Sequence, residues 1–290
     1  MSAVPVKPTR TLPWNVRRRR FLYAVAEHSL LIVVAIAFVA PVGYMLATAV
    51  MSDNQALSPR LWPSPFHPGN FIQVFRDVPL LRYTWNTMLV ATLSSIGVVL
   101  SSVPVAYALS RMQWRGRQLV FVLVLSTMML PTQVTVIPLY VVFVHLGWIG
   151  SLKPLIVPSF FGDAFSIFLL RQFFLTIPSE LSDAGRVDGA SELQVMLRVI
   201  VPLAKPAIAA VALFNFLYNW NDFFGPLLYL GGHTNSYTLS LGLSEFRSVR
   251  HTQWNLTMAA TLLFMLPTTI LFFLAQRVFV EGVTVTGVKG

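Results

Sequence analysis

Residues 29–51 read SLLIVVAIAFVAPVGYMLATAVM, 23 consecutive residues without a charged side chain. At a rise of 1.5 Å per residue, ~20 apolar residues in a helix cross the ~30 Å hydrocarbon core of a bilayer. A chain in lipid has no water to satisfy its amides and carbonyls, so such a stretch reads as a transmembrane helix. Five more apolar stretches follow: Trp85 to Leu109, Leu119 to Val144, Leu155 to Leu175, Pro206 to Leu230 and Leu256 to Gln276. Membrane β-strands would be ~10 residues long with strict alternation, and no such pattern occurs. The sequence therefore predicts an all-α membrane protein with about six transmembrane helices.

Composition agrees. Of the 290 residues 55% are hydrophobic and 11% charged, against ~25% charged in soluble domains, and the mean hydropathy is +0.67. The formal charge of +10 would suggest nucleic acid in a soluble protein. Here the basic residues sort by side of the membrane instead. With the N-terminus inside, 15 Lys and Arg fall on the cytoplasmic side, among them Lys7, Arg10, Arg17 to Arg20, Arg111, Arg115, Arg117, Arg171, Arg186, Arg198, Lys205, Arg277 and Lys289. Six fall outside: Arg60, Arg76, Arg82, Lys153, Arg247 and Arg250. This asymmetry places both termini in the cytoplasm. Residues 1–20 form a basic cytoplasmic tail and residues 21–290 the membrane domain. The first apolar run is too long for a signal-peptide core of ~7–15 residues.

Several chemistries are excluded. There is no cysteine, hence no disulfide, thiol catalysis or Cys-based zinc site. The five histidines are scattered, with no HExxH pair, so no metal site is expected. No G-x-S-x-G occurs, and no catalytic constellation is visible. A P-loop needs a lysine directly after glycine; Lys7, Lys153, Lys205 and Lys289 are the only lysines, and none follows glycine. Prolines within the apolar stretches, such as Pro104, Pro131, Pro138 and Pro267, mark kinks or breaks.

The longest cytoplasmic loop, residues 178–205, is amphipathic and mixed in charge. Ser179 with acids behind Pro178 starts a short helix, and Asp188-Gly189 breaks it. Ser191 caps a second helix, ended by Pro202. A partner cleft or the membrane surface itself would suit such an element equally well. Acids inside a membrane helix call for a reason, since each costs ~2.5–3.5 kcal/mol at the bilayer centre. Asp222, beside Asn219 and Asn221, faces a subunit interface, a wet pathway or a neighbouring helix; Asp163, after Gly162, marks a break in the fourth stretch.

The loop carries a resemblance. Asp183-Ala184-Gly185-Arg186-Val187-Asp188-Gly189-Ala190, followed by Val199-Ile200-Val201-Pro202, resembles the EAA-x-x-DGA…I-x-L-P signature of carbohydrate-type ABC importer permeases. Asp183, Gly185 and Val201 depart mildly from Glu, Ala and Leu. Trp220-Asn221-Asp222-Phe223 with Pro226-Leu227 is similar to the W-N-[DE]-F…P-L stretch of that branch. Ile137 to Tyr140 and the ending from Gly282 to Gly290 fit it too, so the likeness runs from about residue 20 to the end. The type resembled is the six-span membrane subunit of the maltose transporter, with the type I permease fold.

That resemblance implies a binding-protein-dependent system in a bacterial or archaeal plasma membrane. A second permease subunit completes the pathway, and two ATPase subunits, which hold ATP and Mg, sit on the cytoplasmic face. An external solute-binding protein delivers a sugar or related solute. Asp183, Ala184, Gly185, Asp188, Gly189, Ala190 and Pro202 would belong to the loop that docks on an ATPase. Asn219, Asn221 and Asp222 would line the pathway. The external loop 231–255 would reach the binding protein through Tyr237, Phe246 and Trp254. This chain itself would bind no cofactor and catalyse nothing. The alternative is a self-contained secondary transporter, which would need more spans, internal repeats and buried ion sites.

Overall fold

A computed structural model describes residues 14–60, 62–246 and 253–287. The basic positions Lys7, Arg10, Arg247, Arg250 and Lys289 lie outside the described residues, as do the last three residues of the C-terminal motif.

The described chain is helical: α1 (Trp14–Ala49), α2 (Asp53–Ala56), α3 (Asn70–Asp77), α4 (Leu80–Ser110), α5 (Arg117–Thr127), α6 (Thr132–His145), α7 (Lys153–Ile156), α8 (Ala164–Thr176), α9 (Ser179–Val187), α10 (Glu192–Val195), α11 (Val201–Leu203), α12 (Lys205–Asn221), α13 (Phe224–Leu230), α14 (Leu239–Gly242) and α15 (Trp254–Gly287). A π-turn, Met196–Ile200, joins α10 to α11, and 3₁₀ turns cover Val157–Phe161, Thr234–Ser236 and Leu243–Phe246.

Four stretches are long and apolar enough to cross a membrane: Phe21–Ala49, Leu80–Ser110, Lys153–Thr176 and Trp254–Leu274. Glu192–Leu203 and Lys205–Asn221 are long and apolar enough only when taken together, and they meet at a bend of 80°. The expected third span is divided: α5 stops at Thr127, and α6 begins after Pro131, whose missing amide is harmless at a helix start. Each half is too short to span alone. Hydropathy could not reveal that break, because Met128, Met129 and Leu130 keep the run apolar while the backbone turns. The fifth expected span is divided as well, between Asn221 and Phe224.

Helix α4 is the hub. Its small residues let neighbours come close: Gly97 faces the Phe160 ring, where a β-carbon would lie 2.7 Å from a ring carbon. Several of its hydroxyls bond within the helix, Ser95 donating to Ala91 O at 2.7 Å and Ser110 to Ala106 O at 2.7 Å, while Ser94 donates to Leu155 O at 3.1 Å. Two apolar clusters hold the fold. One joins Val103, Ala106 and Tyr107 of α4 to Leu170 and Phe174 of α8, to Val195, Met196 and Ile200, and to Ala207 and Val211 of α12. The other joins Tyr83, Trp220, Leu239, Leu256 and Ala259 at the opposite end. Helix α1 stands apart, its side chains exposed from Phe21 to Gly43, and it meets the core only near Ala49. For a membrane protein that exposed apolar face suits lipid or another apolar chain.

Candidate functional site

In the loop between α8 and α12 the stop at Asp188-Gly189 and the start at Ser191 fall where the sequence predicts, whereas Pro202, expected to end the second helix, lies inside α11. Helix α9 ends in a Schellman arrangement: Gly189 takes a positive φ of 80°, its N–H reaches Arg186 O at 3.0 Å, and Ala190 N–H reaches Gly185 O at 3.0 Å. Glycine supplies that left-handed step without a β-carbon penalty. Two residues on, Ser191 opens α10 with a capping box, its hydroxyl accepting from Gln194 N–H while Gln194 Oε1 accepts from Ser191 N–H at 2.8 Å. Back-to-back caps fix the angle between the two helices. Pro202 falls inside the single turn of α11, one residue before that turn ends at Leu203.

Arg186 then ties the loop together. Its Nη1 donates to Asp183 Oδ1 at 2.7 Å and its Nε to Glu192 Oε1 at 2.8 Å. The other oxygen of Glu192 accepts from the hydroxyl of Tyr107 in α4 at 2.6 Å. Hydrogen bonds from Arg186 first, then from Tyr107, hold the Glu192 carboxyl below its usual range, and hydrogen bonds to Glu192 first, then to Asp183, push the Arg186 guanidinium up. Arg111, just past α4, donates to Phe174 O at 2.6 Å and to Ile177 O, binding the last turn of α8 to α4. Its burial lowers its pKa below the usual arginine value. The loop is thus pinned to α4 and α8 from both sides.

What stays outside is the tip. Asp183, Ala184, Val187, Asp188 and Gly189 are exposed, Val187 to 87%; Gly185 and Ala190 are part-buried. A β-carbon on Gly189 would meet nothing within 4 Å of this chain. The tip is a rigid, glycine-smoothed knuckle with an apolar residue on it, a shape that can enter a cleft.

The remaining expected positions are spread elsewhere. Asn219 lies on α12, where its amide donates to Asn215 O and Oδ1 at 2.9 Å. Asn221 is exposed and bonds Leu217 O. Asp222 sits at the α12–α13 break and accepts from Gly225 N–H at 3.2 Å. Asp163 indeed stands at a break, capping α8 through Ser166 N–H at 2.7 Å after Gly162 at φ 97°. In the loop 231–255, Tyr237 is part-buried beside Tyr83 and Trp254 is 37% exposed, whereas Phe246 is buried in the core. An aromatic in a loop reads as a surface contact from sequence; the 3₁₀ turn Leu243–Phe246 instead turns the ring inward. Tyr107, Glu192 and Arg111 were not singled out by sequence, and only the short spacing from Arg186 to Glu192 hinted at a pair.

A helical membrane domain carrying a capped, exposed two-helix loop fits the class of membrane transport permeases. The comparisons agree. Residues 98–285 match the family of binding-protein-dependent transport system inner membrane components, and the chain belongs to that family. It is 31% identical to the osmoprotective compounds uptake permease protein GgtD of Synechocystis over the full length of both chains. It is 32% identical to the arabinooligosaccharides transport permease AraQ of Halalkalibacterium halodurans, covering 79% of this chain and 81% of the relative. It is also 32% identical to the sn-glycerol-3-phosphate transport permease UgpE of Brucella abortus, covering 89% and 95%. In fold it matches a crystal structure of a bacterial ABC transporter involved in import of the acidic polysaccharide alginate, with a TM-score of 0.77 at 22% identity over 93% of this chain and 99% of that one. The protein is therefore a multi-pass inner-membrane permease subunit of an ABC importer that works with a solute-binding protein.

Proposed function

We propose that this chain forms half of the solute pathway of an ATP-driven importer for a sugar, polyol or related solute. A second permease subunit forms the other half, and two separate ATPase subunits bind ATP and Mg and hydrolyse the nucleotide. The observation that carries this reading is the knuckle Asp183–Ala190, rigidly capped, exposed at its tip and pinned through Arg186, Glu192 and Tyr107 to the central helix. Asp183, Ala184, Asp188 and Gly189 present the docking face, Gly185 and Ala190 shape it, and Pro202 sits at the return into the membrane. Docked movement at that tip is transmitted to α4 and so to the pathway, a two-state element biased from a distant site. The tip and both termini lie in the cytoplasm, as the basic residues indicate. Asn219, Asn221 and Asp222 lie along the pathway. In the external loop 231–255, Tyr237 and Trp254 face the binding protein, and Phe246 supports them from within.

The solute class rests on the named relatives, whose cargoes include osmoprotective compounds, arabinooligosaccharides and sn-glycerol 3-phosphate. The test is reconstitution of the complex in liposomes. Uptake should require ATP, the ATPase subunits and the binding protein together. Uptake by this chain alone, driven by an ion gradient without ATP, would refute the proposal in favour of a secondary transporter.

A further inference from the structure

The external loop is fastened to the first two turns of α4, and the fastenings are buried. The Asn86 amide donates to Asn235 O at 3.0 Å and to Tyr237 O at 2.9 Å. Thr87 Oγ1 accepts from Leu239 N–H at 2.7 Å and donates to Tyr83 O at 2.9 Å. The Tyr83 hydroxyl donates to Glu245 Oε2 at 3.1 Å, and its ring lies 5.9 Å from that of Tyr237. Arg82 adds a bond to Asn235 Oδ1. Asn86 is 8% exposed, and Tyr83 and Thr87 are buried. These three residues are spaced i, i+3 and i+4, which puts them on one face of the helix. Both hydrogens of one side-chain amide go to two carbonyls of the loop. The loop therefore cannot shift against α4 without leaving a buried donor unpaired.

At its other end α4 holds the knuckle through Tyr107 and Glu192, and the end of α8 through Arg111. From Asn86 to Tyr107 the helix rises about 30 Å, the thickness of the hydrocarbon core. Helix α4 runs unbroken over that distance, through Pro104. By contrast α5 and α6, the 3₁₀ turn and α8, and α12 and α13 are each separated by a break part-way along. A helix tied at both ends moves as a body, while a break between helices absorbs movement. We propose that Asn86 and Thr87 are positioning residues that make α4 a rod between the external loop and the knuckle, so that engagement of the loop by the loaded binding protein is passed through this chain to the ATPases. This rests on the importer reading and deepens it, because it names the bonds through which the signal enters the membrane and the helix that carries it.

The test measures ATP hydrolysis by the complete complex in liposomes, alone and with its binding protein in excess. Maltotriose, arabinotriose and sn-glycerol 3-phosphate are offered in turn, and the probe that stimulates wild type most is used for the variants. Asn86→Ala should cut that stimulation about tenfold. Its hydrolysis without binding protein should stay within twofold of wild type, its affinity for the binding protein within threefold, and the partner permease should co-purify. Thr87→Val, which keeps the shape and drops the hydroxyl, should also lose stimulation, about threefold or more, whereas Thr87→Ser should stay within twofold. If Asn86→Ala fails to assemble, the Thr87 pair decides alone. Tyr107→Phe, at the far end of the rod, should lower stimulation too, and combining it with Asn86→Ala should lose no more than the worse single variant, since breaking one rod twice adds nothing. Three results would overturn the proposal: wild-type stimulation in Asn86→Ala or Thr87→Val; a fall in affinity for the binding protein that accounts for the lost stimulation, which would make the bonds a support of the loop alone; or fold losses that multiply in the double variant. Wild-type hydrolysis that ignores the binding protein with every probe would instead overturn the importer reading itself.

Discussion

The hydrogen bond from Tyr107 to Glu192 carries the loop's position into the central helix, and its strength can be worked out. Glu192→Gln removes the charge that Arg186 and Tyr107 both address, at 2.8 and 2.6 Å. The side chains of Arg186 and Glu192 are 35% and 41% exposed, so water screens their ion pair and it contributes about 0.5 kcal/mol. The bond from the Tyr107 hydroxyl is different: Tyr107 is 3% exposed, and a hydrogen bond to a charged acceptor is worth about 1.5 kcal/mol or more. The glutamine oxygen can still accept from the Tyr107 hydroxyl, so Glu192→Gln loses the ion pair and the charge-assisted part of that bond, about 1 kcal/mol together. Tyr107→Phe removes that charge-assisted part as well, so the double variant should fall short of additivity by about 0.5 kcal/mol. Thermal unfolding of the detergent-solubilised complex, run as a double-mutant cycle, measures this. A coupling energy below about 0.3 kcal/mol, inside the usual scatter for independent sites, would refute the claim that Tyr107 and Glu192 act as a unit.

The same carboxylate sets a pH dependence. Its folded pKa lies below the ordinary 4.5, so its stabilisation is complete above that value and is lost as pH falls through the folded one. Melting temperatures of wild type and Glu192→Gln should therefore differ by a constant amount from pH 7 to pH 5 and converge below about 4.5. Gly185→Ala, which restores the small side chain of the signature, should be neutral or stabilising by up to about 1 kcal/mol from helix propensity, because the new β-carbon would sit 3.4 Å from Val195 in ordinary contact; a lowered melting temperature would contradict this. Gly242→Ala should do the opposite. Its β-carbon would lie 2.2 Å from the ring of buried Tyr83, and overpacking of that kind costs about 1–3 kcal/mol, readable as a lower melting temperature and poorer yield.

The sequence showed most of the architecture through two signals of different kind. Uninterrupted apolarity marked the spans because transfer into lipid is additive along the chain. It could not show the break at Met128–Pro131, which changes backbone direction without changing polarity. Local chemistry marked the loop: Asp188-Gly189 and Ser191 specify a helix stop and a helix start through bonds to their own neighbours, so α9 ended and α10 began where those residues demanded. Pairings across the chain left no such trace. Tyr107 and Glu192 are 85 positions apart, and nothing in either local sequence points to the other. The inward turn of Phe246 was hidden for the same reason, since its place is set by packing with Leu239 and Leu256.

The most direct measurement of the central claim is co-purification from native membranes in mild detergent, comparing wild type with Gly189→Asp. Gly189 adopts a positive φ of 80°, and a β-carbon there meets nothing in this chain. The substitution therefore strains one residue by about 1–2 kcal/mol and places a charge where a docking cleft would close. The account predicts that wild type brings down two ATPase subunits and a second permease, and that Gly189→Asp keeps the permease and loses the ATPases. Retention of the ATPases by Gly189→Asp at wild-type stoichiometry would contradict it.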